Sequence, residues 1–322
     1  MTTFDVVGVG NAIVDVIAIV DEAFIDAHHL AKGAMSLIDA DRASQLYAAM
    51  PAGIEASGGS AANTMAGVAS FGGRAAYIGK VRNDQLGEVF RHDIRATGVS
   101  YDVPYALDGP PTARCLIQVT PDAQRTLNTF LGVSSLLSPD DVDEQLVASA
   151  RLVYCEGYLW DVDIAKQAIR KAMDVGKAAG AKTALTLSDS FCVDRHRDGW
   201  LELIESRVDV VFANEAEICS LYQCDWESAA DKIAGHVDIA CLTRSELGSV
   251  IVTPSGRVNV AAHPCDHLVD TTGAGDLYAS GFLYGYTNGF DLATCGRLAS
   301  MAAAEIIGHV GARPAVQLHT LI

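Results

Sequence analysis

The chain has no run of 18 uninterrupted apolar residues, so nothing in it reads as a membrane-spanning helix. It also lacks a basic N-terminal segment leading into an apolar stretch. Met1-Thr2-Thr3-Phe4-Asp5 carries no positive side chain, and Asn11 and Asp15 interrupt the apolar residues beyond it, which argues against a signal peptide. Basic residues are scarce: 23 Lys and Arg stand against 40 Asp and Glu, a formal net charge of −17. So acidic a surface repels polyphosphate backbones and anionic lipid, which argues against nucleic-acid or membrane partners. A small anionic ligand remains compatible, because a local nest of main-chain N–H groups outweighs distant charge. The 8 cysteines form no Cys-x-x-Cys pair and several lie in apolar runs, so they read as reduced, small buried hydrophobes. Internal repeats are missing, as is any Pro-, Gly- or Ser-rich linker that would divide the 322 residues. These absences lead to the expectation of a soluble, cytoplasmic chain with one large core.

What is present is 50% hydrophobic and rhythmic. Residues 5–10 form an apolar run, and residues 12–20 a second one broken by Asp15. Gly58-Gly59-Ser60 reads as a loop opening a helix over 61–70, with Phe71-Gly72-Gly73 as its stop. A buried strand over 75–79 and a helix over 87–97 follow. Residues 113–120 and 124–130 flank Pro121-Asp122 and predict two strands joined by a turn. From residue 152 strands and helices alternate. Strands are predicted over 152–155, 183–187, 208–212, 239–242 and 249–253, and helices over 164–179, 199–206, 215–222, 275–286 and 292–307. Strands apolar on both faces, alternating with helices, predict an α/β fold: a three-layer, doubly wound, mostly parallel sheet. Stretches near 12–40 and 100–130 break the alternation and are expected to form a small β lid on a single domain spanning 1–322.

The sharpest segment is Asp270-Thr271-Thr272-Gly273-Ala274-Gly275-Asp276, which runs into a predicted helix. Gly-Ala-Gly lets a ligand approach the main chain closely, and the helix start offers unpaired N–H groups and a positive dipole end. That combination is an anion hole, and Asp276 beside it is placed to take a proton from a hydroxyl. The plainer reading, an acidic residue stabilising a helix N-terminus, is available to any lone Asp in that position. Ser57-Gly58-Gly59-Ser60-Ala61-Ala62-Asn63 forms a second cluster. Its glycines let a flat polar ligand lie against the backbone, and Ser60 and Asn63, three apart, share a helix face; an ordinary Ser cap with a surface Asn fits the spacing equally well. Asn11 and Asp15 form the third, four apart in apolar surroundings. Asp15 must face water, protein or a ligand, and a carboxylate over a cleft can accept a sugar diol.

Other motifs fail. Gly8-x-Gly10 has Ile13 at the third dinucleotide-fingerprint position, Gly79-Lys80 has Arg74 where a phosphate loop begins, and Gly58-x-Ser60 has Ala62 in place of the last elbow Gly. His263-Pro264-Cys265-Asp266-His267 is too short, and too constrained by proline, for a closed zinc site.

Taken together, Gly58-Gly59-Ser60-Ala61-Ala62-Asn63 with Phe71-Gly72-Gly73, Gly79 and Asp84-x-x-Gly87, and then the 270–276 segment, resemble the two signatures of the ribokinase-like (PfkB-type) carbohydrate and nucleoside kinases. The stretch Gly8 to Asp15 and Leu185-Thr186-Leu187-Ser188-Asp189-Ser190-Phe191 are similar to the adenosine kinase branch. The resemblance implies transfer of the terminal phosphoryl group of MgATP to a primary hydroxyl, most simply of adenosine, giving AMP. A ribose or fructose kinase is the alternative, with a non-catalytic nucleotide-binding regulator and a nicotinamide-dependent oxidoreductase further off. It implies Asp276 as base, with Gly273, Ala274 and Gly275 as the anion hole. Asn11, Asp15, Gly58, Gly59, Ser60 and Asn63 would hold the acceptor. On the ATP side it implies Asn214, Glu217, Thr243, Gly248 and the lid residue Arg125. Glu217 would organise magnesium through water, and Asp270 and Thr272 would hold a monovalent cation such as potassium. Family members are monomers or homodimers. One departure stands out: Ser245 occupies a position where the family often has Gly, and Ser enters a left-handed backbone at greater cost.

Overall fold

The computed structural model describes residues 3–122 and 124–322. β1 (Phe4–Val9) leads into β2 (Ile13–Ile19), followed by α1 (Glu22–Ala27), β3 (Met35–Leu37), α2 (Ala40–Ala49), β4 (Ile54–Gly58) and α3 (Ser60–Ser70). Next come β5 (Ala75–Ile78), α4 (Gln85–Ala96), the pair β6 (Ala113–Val119) and β7 (Arg125–Phe130), and α5 (Glu144–Ala148). The alternating half runs β8 (Ala150–Glu156), α6 (Asp163–Ala178), β9 (Lys182–Thr186), α7 (Ser190–Arg207), β10 (Val210–Asn214), α8 (Glu215–Tyr222) and α9 (Trp226–Ile233). It closes with β11 (Ile239–Thr243), β12 (Ser249–Thr253), β13 (Gly256–Val260), α10 (Ala274–Thr287) and α11 (Leu292–Ile306).

The large sheet has the order β13-β12-β11-β10-β9-β8-β1-β5. It is parallel from β5 to β11, and β12 and β13 add an antiparallel edge. Strands buried on both faces account for this: Val6, Val7 and Val9 of β1, and Leu152, Val153 and Cys155 of β8, are all 0% exposed. The mostly parallel α/β reading therefore holds; β12 was expected as a strand, while its antiparallel direction and β13 are additions that the alternation did not reveal.

The second sheet, β3-β7-β6-β2-β4, is the small β layer. In β2, Val14, Val16 and Ala18 are buried while Ile13, Asp15 and Ile17 are half-buried, the period-2 signature of a strand with one core face. The layer is broader than expected. β4, of which the sequence reading marks only Gly58, as the start of a loop, pairs antiparallel with β2 from Ile13↔Gly58 to Ile17↔Ile54. Residues 100–112 contribute only isolated bridges, and the 12–40 stretch contains α1 besides its strands. The helix expected over 199–206 is the second half of α7, which bends at His196 (φ −129°, ψ 23°). Among the described residues no helix is long and apolar enough to cross a membrane.

Candidate active site

The C-terminal ends of the parallel strands open on a cleft of about 640 Å³ roofed by the small sheet, the usual ligand position in an open α/β sheet. Its lining includes Asn11, Asp15, Gly59, Ser60, Asn63, Asn214, Glu217, Thr243 and residues 271–276, so most of the residues singled out from sequence meet in one place. Gly58, Gly248, Arg125 and Asp270 do not line it.

Asp276 sits in the first turn of α10. Gly273 precedes the helix at φ +79°, and no side chain caps it. A side chain at Gly273 would come within 3.1 Å of Ala312, so both the backbone angle and the packing call for glycine. The amide of Ala274 donates to Thr271 O at 3.2 Å. Those of Gly273 and Gly275 have no hydrogen-bond partner among the described residues and remain available to an anion.

The carboxylate of Asp276 is gripped from α3: Ser60 Oγ donates to Oδ1 at 2.7 Å and Asn63 Nδ2 to Oδ2 at 2.9 Å. Ser60 and Asn63, expected as acceptor-binding residues, thus first hold this carboxylate. Asn63 Oδ1 is buried without a hydrogen-bond partner among the described residues, an acceptor left over for a ligand hydroxyl. Burial pushes the Asp276 carboxyl above the ordinary Asp range, opposed by the Ser60 and Asn63 bonds and by the charge of Arg313.

Asn11 is committed to the protein as well. Its main-chain N and its Nδ2 donate to Glu156 Oε1 at 2.8 and 2.7 Å, and its Oδ1 accepts from Ser134 Oγ. Glu156, 0% exposed, also accepts from Ala61 N at 2.8 Å, so it ties the end of β1 to the start of α3. Burial raises its carboxyl to about 7 against these three donors. The carboxylate of Asp15, facing the cleft from β2, has no hydrogen-bond partner among the described residues. Burial raises it to about 6, opposed by the charges of Arg313 and Arg125. Gly58 has its place because of Asp15: a Cβ there would meet the Asp15 carboxylate at 2.4 Å. Gly59 lies at φ +104°, where a Cβ would stand 2.1 Å from Asn11 O.

On the other side of the cleft, Asn214 and Glu217 form a reciprocal cap on α8. Asn214 N and Nδ2 donate to Glu217, whose own amide donates back to Asn214 Oδ1. Burial raises Glu217 to about 7. Its hard oxygen donors suit a magnesium ion that keeps its waters, and no cluster of three metal-ligating side chains occurs among the described residues. Gly248 turns β11 into β12 at φ +84°. Asp270 and Thr272, expected to hold a monovalent cation, have a guanidinium beside them. Arg125 Nη1 lies 2.7 Å from Asp270 Oδ2 and donates to Thr272 Oγ1 at 3.1 Å. Arg125, expected to reach phosphate, joins lid to body through these contacts, and its buried Nη2 has no partner among the described residues.

Sequence reasoning missed Glu156, one residue beyond the apolar run it had marked, and Arg313, which carries no motif. It left Tyr158 unmarked and gave Phe191, though part of the 185–191 stretch, no role; both line the cleft, 40% and 74% exposed.

A helix start with two free amides, a carboxylate beside it and a roofed cleft are the parts that group transfer to a small hydroxyl compound requires. The family model for the pfkB family carbohydrate kinases matches residues 8–318, and the chain belongs to that family. It is a sugar or nucleoside kinase, an ATP-dependent phosphotransferase of a class that ordinarily uses magnesium. The chain is similar to the adenosine kinase of Sinorhizobium meliloti, whose crystal structure shares 52% identity and a TM-score of 0.91 over 99% of this chain and 98% of that one. A probable sugar kinase from Rhizobium etli is 50% identical with a TM-score of 0.92, covering 100% of this chain and 98% of that one. The adenosine kinase of Saccharomyces cerevisiae is 28% identical over 96% of each chain.

Proposed function

We propose that the protein phosphorylates the 5′-hydroxyl of adenosine at the expense of ATP. The observation that carries this reading is the single cleft joining Asp276, its two α3 partners and Asp15 to an apolar wall. Met35, Leu37, Ile117 and Leu127 come from the lid, and Tyr158 and Phe191 from the body. A free furanose has no flat apolar part to fill that wall; a purine nucleoside has one. The resemblance to the Sinorhizobium meliloti adenosine kinase supports the same substrate.

The acceptor's ribose hydroxyls meet Asp15 and the spare Oδ1 of Asn63, which directs the primary hydroxyl to Asp276. As the hydroxyl oxygen bonds to the terminal phosphorus, the bond to the bridging oxygen breaks and ADP leaves. The hydroxyl proton passes to the Asp276 carboxylate. The amides of Gly273 and Gly275 meet the charge on the transferred group. Glu217 is placed to hold magnesium through water, and that ion, when bound, offsets charge on the phosphates. The small sheet excludes water over the acceptor, with the Arg125–Asp270 pair joining it to the body.

A coupled ADP-release assay across adenosine, inosine, guanosine, ribose and fructose tests the substrate. Adenosine should show the highest kcat/KM, by at least about tenfold over either sugar, the ratio that about 1.4 kcal/mol of base contact produces. Preference for ribose or fructose overturns the nucleoside reading and leaves a sugar kinase.

A further inference from the structure

The segment after α11 reaches back under the cleft. Gly311 N donates to Asp270 Oδ2 at 3.0 Å, and Ala312 is the residue against which Gly273 packs. Next comes Arg313, which no motif had marked. Its guanidinium donates from Nε and Nη2 to Ser57 O at 3.1 and 2.8 Å, from Nη2 to Ser57 Oγ at 2.9 Å, and from Nη1 to Ala62 O at 2.7 Å. Ser57 is the next-to-last residue of lid strand β4 and Ala62 lies in the first turn of α3. The fork therefore spans the β4–α3 corner, 256 and 251 residues back along the chain. Asp93 of α4 secures the same corner from its other side, accepting from Ser57 N and Oγ at 2.7 and 2.6 Å.

That corner carries Ser60 and Asn63, the two residues that hold Asp276. Among the charges acting on the two cleft carboxylates, Arg313 is the cation common to both Asp15 and Asp276. We propose that Arg313 is a positioning residue for Asp276: it clamps the corner from which Ser60 and Asn63 orient that carboxylate, and its charge balances Asp276 and Asp15. The inference rests on Asp276 being the base. A lysine cannot replace the fork, because an ammonium is a point charge without the planar geometry that engages two carbonyls at once.

The charged and titratable groups facing Asp276 are few. Asp15 comes from β2, Glu156 from β8 and Arg313 from the C-terminal segment, while the phenols of Tyr77, Tyr154 and Tyr158 stay neutral because burial raises them. Arg313 itself faces Asp93, Asp15, Asp276 and Tyr77. A base must be ionised to work, so activity falls as pH drops through its pKa. Removing the neighbouring cation favours the protonated acid and moves that acid limb upward.

The test measures kcat and KM separately from pH 5 to 11 on the full chain. The acceptor is adenosine, or whichever compound turns over fastest in the screen above. Arg313→Met should lower kcat at pH 7 at least about tenfold and move the acid limb of kcat up by about one pH unit. Arg313→Lys should keep the wild-type limb while losing part of kcat. The shift is read in kcat because Asp15, a binding contact, is read mainly in KM. A uniform loss in both variants, with the limb of kcat unmoved, overturns the inference and leaves Arg313 a packing residue. If Arg313→Met does not melt cooperatively, Arg313→Gln replaces it under the same criterion. If neither neutral variant folds, Arg313→Lys carries the test, because its amine titrates near pH 10. A new alkaline loss of kcat then supports the inference, and an alkaline limb like wild type overturns it. Asp276→Asn is run alongside: retained turnover there sinks the base reading itself, whereas an inactive Asp276→Asn with an unmoved limb in Arg313→Met sinks only the clamp.

Discussion

Asp276 is approached by donors on both oxygens, Ser60 on one and Asn63 on the other. An isosteric amide keeps one acceptor for Ser60 but turns a second NH2 toward that of Asn63, which must rotate to avoid it. Asp276→Asn is therefore expected to fold with a slightly lowered melting temperature and to lose about 10²–10⁴ in kcat, the usual worth of a positioned base. Near-normal ADP release from a folded Asp276→Asn would remove the base. This residue was legible in the sequence because its setting is local: Gly273, Ala274 and Gly275 adjoin it, and a helix start needs no distant partner to be recognised. Glu156 and Arg313 were not legible, for the converse reason. Glu156 bonds Asn11 across 145 residues, and Arg313 bonds Ser57 across 256, so their meaning lies wholly in how the chain folds back.

At the level of elements, the departure at Ser245 has a structural outcome. The β11–β12 connection keeps a left-handed turn there, with Ser245 at φ +50° and Gly248 at φ +84°. Arg244 N bonds Gly248 O at 2.8 Å, so the turn is closed by its own backbone. The two positions differ in what a side chain costs. At Gly248 a Cβ would meet Val260 O at 2.2 Å, whereas Ser245 is exposed and pays only the intrinsic left-handed penalty of about 1–2 kcal/mol. Part of that is offset by the extra unfolded-state freedom of glycine, about 0.4–1 kcal/mol. Ser245→Gly should accordingly raise the thermal midpoint by about 1–3 °C, using the sensitivity expected for a chain of this size. A lowered midpoint would mean that the serine stabilises the turn. Element reading from sequence worked where apolar residues were continuous, as in β1, β8 and β10. It left β4 without a strand, because the pairing of Ile54-Glu55-Ala56-Ser57-Gly58 with β2, rather than its own hydrophobicity, makes it one.

For the whole molecule, the cleft concentrates carboxylates that the fold would rather hold protonated. Burial raises Asp15 to about 6 and Glu156 and Glu217 each to about 7, from ordinary values of 3.8 and 4.5. An acid whose pKa is higher folded than unfolded stabilises the fold fully below its unfolded value, and that contribution disappears as pH rises through the folded value. The window for these groups runs from about pH 4 to about pH 7. Asp122 works the other way: Lys32 and Thr120 hold it near 2, so its contribution is lost only on acidification below its ordinary value. Between pH 5 and 8 the raised carboxylates decide the sign, and the melting temperature should fall as pH rises. The net charge of −17 pushes in the same direction through surface repulsion, but salt separates the two causes. Exposed charges are largely screened at 0.5 M salt, whereas groups enclosed in the cleft are not. A pH dependence that persists in high salt is the mark of the cleft carboxylates. One that vanishes there assigns the effect to the surface, and a melting temperature that climbs from pH 5 to 8 contradicts the burial argument for Glu156 and Glu217 outright.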